Sequence, residues 1–450
     1  MSLIFSRIVV LSVLSCAAHR SIAADRPNFV IILADDLGYG DLACYGNTVN
    51  RTPHLDRMAA EGIRFTDFHA NGPMCSATRA ALLTGQYQHR FGRHFEGALS
   101  PDSQPTNGLP LEAVTIAEVL KDAGYATGMY GKWHLGYAPP LMPAQQGFDD
   151  FRGLASGDGD HFSHIDRSGA RDWWHNNEID MEEGYCADLV TRHSQDFIRR
   201  HKDEPFFLYV AHLSIHFPWQ GPNDAAYREE GTDYADNKHG LPRGSNVGPA
   251  VKAMVESLDA SVGEILATLK QQGLDEKTLV VFASDNGGYL AYAGGFHNIS
   301  SNGPYRGQKT ELYEGGHRVP AIMRWPGHIA PGTSDQTVMT FDLFPTLLDL
   351  AGLDRQKQSL RLDGVSLKSL LHKNTELPSR PLFWRKGDVR AVRQGPWKLL
   401  TQGGQFELYH LGEAMDESHN VADRQPELAG TLVKALDAWE ADVDSTGRGR

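Results

Sequence analysis

The chain has 450 residues, 41% of them hydrophobic and 22% charged, so it can bury a large core and is not globally disordered. Its formal net charge is −13 with no basic block, which excludes a protein that wraps nucleic acid or binds anionic lipid. Four cysteines in this length rule out a disulfide-built scaffold.

Residues 1–23 read as a signal peptide. Arg7 gives a positive start, Ile8-Val9-Val10-Leu11-Ser12-Val13-Leu14 a short apolar run, and Ser21-Ile22-Ala23 small residues at a cleavage site. The run is too short to span a bilayer, and no later stretch reaches the roughly 18 apolar residues needed. The expectation is an exported protein, periplasmic or secreted. A lipoprotein is the lesser alternative, because Val13-Leu14-Ser15-Cys16 loosely matches a lipobox. Cys44, Cys75 and Cys186 then remain, an odd number that singles one of them out. Cys44 and Cys186 are left open between pairing and free thiols.

From residue 27 to about 335, short apolar runs alternate with helical patterns. This predicts an α/β fold with a large, mostly parallel sheet flanked by helices. Four runs stand out: residues 29–34, 126–130, 206–210 and 279–283, rich in β-branched and aromatic residues as fully buried strands are. Residues 111–123 and 251–269 have helical spacing, and residues 138–185 read as a long loop. The pattern changes near residue 340. A helix to Leu350 is capped by Gly352, and four short strand-like runs between 382 and 410 follow, separated by glycines. A helix from Pro426 to about Val443 closes the chain. The expected division is 24–335 for the main domain and 336–450 for a small C-terminal subdomain with an antiparallel sheet and a helix.

Ligands of open parallel sheets bind beyond the carboxyl ends of the strands. Each of the four strong runs delivers polar residues to that edge: Asp35 and Asp36, Lys132 and His134, His216, and Asp285 and Asn286. Asp35, Asp36, Asp285 and Asn286 offer only oxygen ligands, which suits a hard cation, Ca2+ ahead of Mg2+. No Cys-x-x-Cys or His-Glu-x-x-His pattern points to zinc. Between Pro73 and Gly85 lies a run of strong helix formers. It places Cys75 at a helix N-terminus, where backbone donors favour an anion, with Arg79 one turn along the same face.

Cys75-Ser76-Ala77-Thr78-Arg79 followed by Leu83-Thr84-Gly85 resembles the signature of the type I, formylglycine-dependent sulfatases, in the alkaline phosphatase superfamily. The resemblance extends to Val30 through Gly38, to Gly131-Lys132-Trp133-His134-Leu135-Gly136, and to His216-Phe217-Pro218. It continues through Ser284-Asp285-Asn286-Gly287, Gly307-Gln308-Lys309-Thr310 with Glu314-Gly315-Gly316, and Leu408-Tyr409-His410-Leu411 with Asn420-Val421-Ala422. These motifs occur in family order and cover nearly the whole mature chain. The residues 24–335 would be the catalytic sulfatase domain.

The resemblance implies that Cys75 is oxidised to Cα-formylglycine (3-oxoalanine). It implies that Asp35, Asp36, Asp285 and Asn286, with the modified residue 75, hold one Ca2+. It also implies catalytic roles. A hydroxyl of the hydrated residue 75 attacks sulfur, with Asp285 a proton acceptor. His216 and Lys309 serve the leaving oxygen, and Arg79 and Lys132 offset charge. His134 takes a proton as sulfate departs. Ala77 stands where the common signature has Pro, and Thr78 where Ser is usual. That departure implies a radical-type anaerobic maturase as partner.

The implied reaction is sulfate ester hydrolysis on a sulfated carbohydrate or aryl sulfate. Two other readings of the scaffold are a phosphate or phosphonate ester hydrolase and a non-catalytic glycan-binding pseudoenzyme in which Cys75 stays a thiol. Trp173, Trp174, His175, His161 and Trp219 are candidates for stacking on sugar rings, and His317 and Arg318 for reaching a carboxylate or hydroxyl.

Overall fold

The computed structural model describes residues 26–100, 107–234, 241–242, 244–354 and 360–446. The proposed signal peptide and Cys16 lie outside the described residues. Ten strands form one sheet: β1 (Asn28–Ala34), β2 (Ile63–Phe65), β3 (Ala126–Gly131), β4 (Asp150–Gly153), β5 (Trp174–His175), β6 (Glu178–Ile179), β7 (Phe206–Ala211), β8 (Thr278–Ser284), β9 (Ala321–Arg324) and β10 (Gly332–Ser334). Their order is β10-β2-β9-β8-β1-β7-β3-β4-β5-β6. The four strong apolar runs are the four adjacent central strands, all mutually parallel. Antiparallel pairing enters with β9 and with β5 and β6 near the edges.

Alternation along the central strands explains why those runs are continuously apolar. Phe29, Ile31 and Leu33 enter one core, with Tyr209 and Val281. Val30, Ile32 and Ala34 enter the opposite one, with Val210 and Phe282. Both faces are covered, so no polar face is needed. Helices α1 (Pro53–Glu61), α2 (Cys75–Thr84), α3 (Ile116–Asp122), α4 (Cys186–Arg200), α5 (Gly248–Gln271) and α6 (Leu343–Leu350) do the covering. Leu83, Leu120 and Leu347 lie on the first face, and Met58, Val190 and Leu258 on the second.

The C-terminal part forms an antiparallel sheet of β11 (Leu382–Lys386), β12 (Val389–Gln394), β13 (Trp397–Gln402) and β14 (Gln405–His410), packed against α7 (Pro426–Thr446). Among the described residues no helix is long and apolar enough to cross a membrane. Cys44, Cys75 and Cys186 are free thiols.

Three expectations change. Residues 138–185 are not one loop: β4, β5 and β6 extend the sheet through them. These strands of two to four residues are too short to show periodicity. The helix read at 111–123 begins only at Ile116, because Thr115 and Glu118 close a capping box, and Leu111 and Val114 are exposed before it. The core of the large sheet also takes in Val338, Leu343, Leu347 and Leu371, which the sequence reading assigned to the C-terminal subdomain.

Candidate active site

The register of the central strands brings the site together. Ala34 pairs with Ser284, and Ala211 pairs with both Leu33 and Gly131, so the strands end at nearly one level. The next residues continue the ladder. Asp285 N–H donates to Ala34 O at 3.1 Å, Lys132 N–H to Ala211 O at 2.7 Å, and Asp35 N–H to Ser214 O at 2.8 Å. Helix α2 adds Cys75 at its first position and Arg79 one turn on; every residue of that helix is buried. A loop adds Lys309, whose N–H donates to Gly288 O at 3.2 Å. Gly287 must be glycine: a Cβ there would sit 1.8 Å from Gly315 O.

Charges alternate through the cluster. Lys132 Nζ bonds to Asp35 Oδ2. Lys309 Nζ lies 2.6 Å from Asp36 Oδ1 and 3.8 Å from Cys75 Sγ. Arg79 donates from Nη2 and Nε to Asp285 Oδ2 at 2.8 and 3.1 Å, and from Nη1 to Lys132 O at 2.8 Å. Asn286 Nδ2 donates to Asp36 Oδ1 at 2.8 Å. One carboxylate oxygen each of Asp35, Asp36 and Asp285 lie within 4.8 Å of one another, and so do ligand atoms of Asp35, Cys75 and His216. Burial, and then the Asp285 carboxylate, push the Asp35 carboxyl well above its usual range. Against the opposing effect of burial, Asp36 and Cys75 hold the Lys309 ammonium well above its usual value.

Two atoms among these oxygen donors are buried without a hydrogen-bond partner: Asp35 Oδ1 and Asn286 Oδ1. Buried oxygens left unsatisfied are costly, so each calls for an explanation. Two backbone positions here are unusual as well. Asp36 (φ 61°) and His134 (φ 58°) both occupy the left-handed region.

The histidines are held as neutral bases. His134 Nε2 lies 2.9 Å from Leu99 O, an acceptor only, so its proton sits on Nε2. Its Nδ1 is then an unprotonated acceptor, buried and without a partner. Burial, followed by the nearby Lys132 charge, holds the ring well below its ordinary pKa. His216 Nδ1 donates to Phe217 O at 2.8 Å, leaving Nε2 unprotonated 3.8 Å from Asp36 Oδ2. Burial, then Lys132, lowers it too.

Leu99 and Gly157 were not foreseen. Leu99 fixes His134 through its carbonyl and the start of α2 through its N–H, which donates to Ser76 Oγ at 3.0 Å. Gly157 is the floor under His134, since a Cβ there would lie 2.3 Å from its Nε2. A backbone carbonyl leaves no mark in a sequence. The run Ser156-Gly157-Asp158-Gly159 was a usable sign of close backbone approach.

Of the candidate sugar-binding residues, Trp173, Trp219 and His161 are buried, while Trp174 and His175 are partly exposed. Trp173 is fully buried and stacks on His164 at 4.4 Å, and Trp219 is buried against Phe296. Trp174 donates to Asp172 Oδ1 at 2.8 Å, and the half-exposed His175 follows it on β5, 3.8 Å from Asp150 Oδ1 and 3.9 Å from Asp180 Oδ2. His161 lies behind the site, its Nε2 3.3 Å from His216 O. His317 and Arg318 belong to a second buried cluster. His317 Nδ1 meets His69 Nδ1 at 3.0 Å and its Nε2 lies 3.1 Å from Lys398 Nζ, while Arg318 pairs with Glu314 at 3.1 Å and Asp67 at 3.2 Å. His69, Glu314 and His317 could also group around a metal by distance. Lys398 and Arg393 already balance the carboxylates there, so that cluster is a charge-paired contact between residues 67–69 and 314–318 on one side and β12 and β13 on the other.

Residues 27–353 match the family profile Sulfatase, and residues 307–440 match the profile N-sulphoglucosamine sulphohydrolase, C-terminal. The chain belongs to the sulfatase family. It is 36% identical to human arylsulfatase A, over 94% of this chain and 84% of the relative. It is also 36% identical to N-acetylgalactosamine-6-sulfatase from Canis lupus familiaris, over 92% of this chain and 79% of the relative. The crystal structure of Ps i-CgsB superposes with a TM-score of 0.80 at 29% identity, covering 92% of this chain and 93% of that one. The sulfatase fold of a large sheet flanked by helices, with a small antiparallel sheet at the C-terminus, is therefore the fold of this chain, and the chain is a hydrolase of sulfuric esters.

Proposed function

We propose that this sulfatase removes sulfate from sulfated carbohydrates at the cluster around Cys75, with Cys75 converted to Cα-formylglycine and one Ca2+ bound beside it. The observation that carries the reading is the convergence of Arg79, Lys132 and Lys309 on Cys75 and three buried carboxylates. Three fixed cations at a helix N-terminus suit a sulfate group inside an otherwise acidic protein. Two relatives support a carbohydrate. One is the N-acetylgalactosamine-6-sulfatase above, whose name states a sulfated sugar. The other is Ps i-CgsB solved in complex with k-i-k-neocarrahexaose, 28% identical to this chain.

Asp35, Asp36, Asp285 and Asn286 fit a hard cation: all offer oxygen, and Asp35 Oδ1 and Asn286 Oδ1 lack any other partner. When bound, the ion would neutralise the carboxylates and polarise a sulfate oxygen. The aldehyde at position 75 would supply, as its hydrate, the nucleophilic hydroxyl. A plain thiol is poorly suited, because burial raises the Cys75 pKa and leaves it un-ionised at neutral pH. Arg79, fixed by Asp285 and by the Lys132 carbonyl, offsets charge on the sulfate, as does Lys132 itself. Lys309 and His216 serve the leaving oxygen. His134, its Nε2 tied to Leu99, presents Nδ1 as the acceptor of a proton. Replacing His134 by Gln is expected to lower kcat by about 10²–10⁴-fold. An undiminished kcat would remove it from the chemistry.

Chelation with EGTA is expected to abolish turnover, and Ca2+ to restore it. Ca2+ should also raise the melting temperature of the stripped protein by preferential binding to the folded state. Restoration by Mg2+ with no thermal response to Ca2+ would overturn the calcium assignment. The reading includes export through the leader at residues 1–23 and maturation by a radical-type enzyme that tolerates Ala77. Co-expression with each maturase class, followed by mass analysis of the Cys75 peptide and a screen of sulfated sugars for released sulfate, tests it. Conversion by the oxygen-dependent class alone would overturn the maturase assignment, and release from aryl sulfates alone would overturn the carbohydrate.

A further inference from the structure

A cavity of about 850 Å³ opens between the loop after Lys309 and the C-terminal antiparallel sheet, within the size range of small-ligand sites. Two of its walls are joined to the sulfate site through the backbone. Thr310 lines it, follows Lys309, and donates its N–H to Pro73 O at 2.9 Å, two residues before Cys75. Gly97, on another wall, lies two residues before the Leu99 carbonyl that holds His134. Lys386, at the end of β11, ties the walls together by donating to Thr310 O at 3.0 Å. The loop that carries Lys309 thus also forms a wall of this cavity.

The lining of the cavity is net acidic. Glu96, Glu311, Asp388 and Glu407 line it with a single ammonium, Lys386. Glu96 is committed to Arg385 Nε at 2.9 Å. Glu407 accepts from the hydroxyls of Tyr313 and Tyr409 at 2.9 and 2.8 Å, and the Arg306 guanidinium, which donates to the same Tyr409 hydroxyl at 3.2 Å, offsets its charge. Two carboxylates, on Glu311 and Asp388, thus remain against one ammonium. Carboxylates accept hydrogen bonds from sugar hydroxyls and repel sulfate. We propose that this cavity is the subsite for the sugar next to the sulfated one, and that it selects a neighbour bearing free hydroxyls and no sulfate. The inference rests on the carbohydrate reading above and names the substrate more narrowly: chains with isolated sulfates.

Sulfate release by the mature enzyme, measured as kcat/KM, tests this on four kinds of probe. They are 4-nitrophenyl sulfate, sulfated monosaccharides, and galactan- and chondroitin-derived tetrasaccharides with either one sulfate or sulfates on adjacent sugars. The expected result is a preference of about tenfold for the singly sulfated tetrasaccharide. Glu311→Gln with Asp388→Asn should bring that ratio near one with 4-nitrophenyl sulfate turnover unchanged. Asp388→Lys, at an exposed turn, should shift the ratio towards the doubly sulfated chain. Equal or greater activity on the doubly sulfated chain, a ratio the variants leave intact, or turnover confined to monosaccharides overturns the subsite alone. If 4-nitrophenyl sulfate is cleaved and no sugar is, the carbohydrate reading falls and the subsite with it.

Discussion

Replacing Cys75 by alanine is expected to lower sulfate release by about 10⁴-fold or more, while leaving the protein folded. The side chain is small, and alanine fits the first position of α2, where Ala77, Ala80 and Ala81 already pack. The loss would therefore be chemical. Serine at the same position should be nearly as inactive, since a hydroxyl without the second oxygen of an aldehyde hydrate has no equivalent route for releasing sulfate. Far-ultraviolet circular dichroism would confirm folding, and kcat on an aryl sulfate would report the loss. Retention of a tenth of the wild-type rate in Cys75→Ala would show that another group attacks sulfur.

Lys398→Met is expected to cost about 3–5 kcal/mol of stability, although it lies outside the proposed catalytic cluster. Lys398 is fully buried on β13. Its Nζ reaches Glu314 Oε1 at 3.0 Å and Glu417 Oε1 at 2.8 Å, both carboxylates themselves fully buried. Removing the ammonium leaves Arg393 and Arg318 near Glu314 but strips Glu417 of that charge. Wild-type Glu314 is held well below the usual carboxylate range, the lowering coming from Lys398 first and Arg393 next, against the opposing effect of burial. In the folded variant both carboxylates should bind protons more readily than they do in the folded wild type. Stability of the variant relative to wild type should then rise as pH falls, so the defect is largest near pH 8 and smaller near pH 5. Denaturant midpoints across that range measure it. A defect independent of pH would mean that packing, not charge, was lost. Adding Glu417→Gln to the variant should recover part of the loss.

Much of this architecture was readable because its signals are local. Residues 29–34, 126–130, 206–210 and 279–283 needed no partner to be recognised as buried strands, and the polar residues just beyond them fell on one edge because parallel strands share a direction. The ten residues of the cluster followed from short motifs, most of them at strand ends or beside turn glycines, with Cys75 and Arg79 one turn apart on a helix. What escaped detection depends on distant neighbours. Trp173 and Trp219 looked like platforms for sugar rings, yet only tertiary packing decides whether an indole is open or enclosed. His317 looked available next to the Glu314-Gly315-Gly316 turn. Its partners His69 and Lys398 lie 248 and 81 residues away, and no spacing rule reaches that far. The acidic cavity likewise combines Glu311 with Asp388 and Glu407, residues that meet only once the C-terminal sheet docks.

The Cys75 side chain is 1% exposed, at the start of a helix whose residues pack into both the main core and the C-terminal one. A modifying enzyme would have no access to it once those cores have closed. Chemical activation would thus have a deadline set by folding: a polypeptide that collapses first keeps its thiol for life, and every preparation would carry a frozen record of that race in its specific activity.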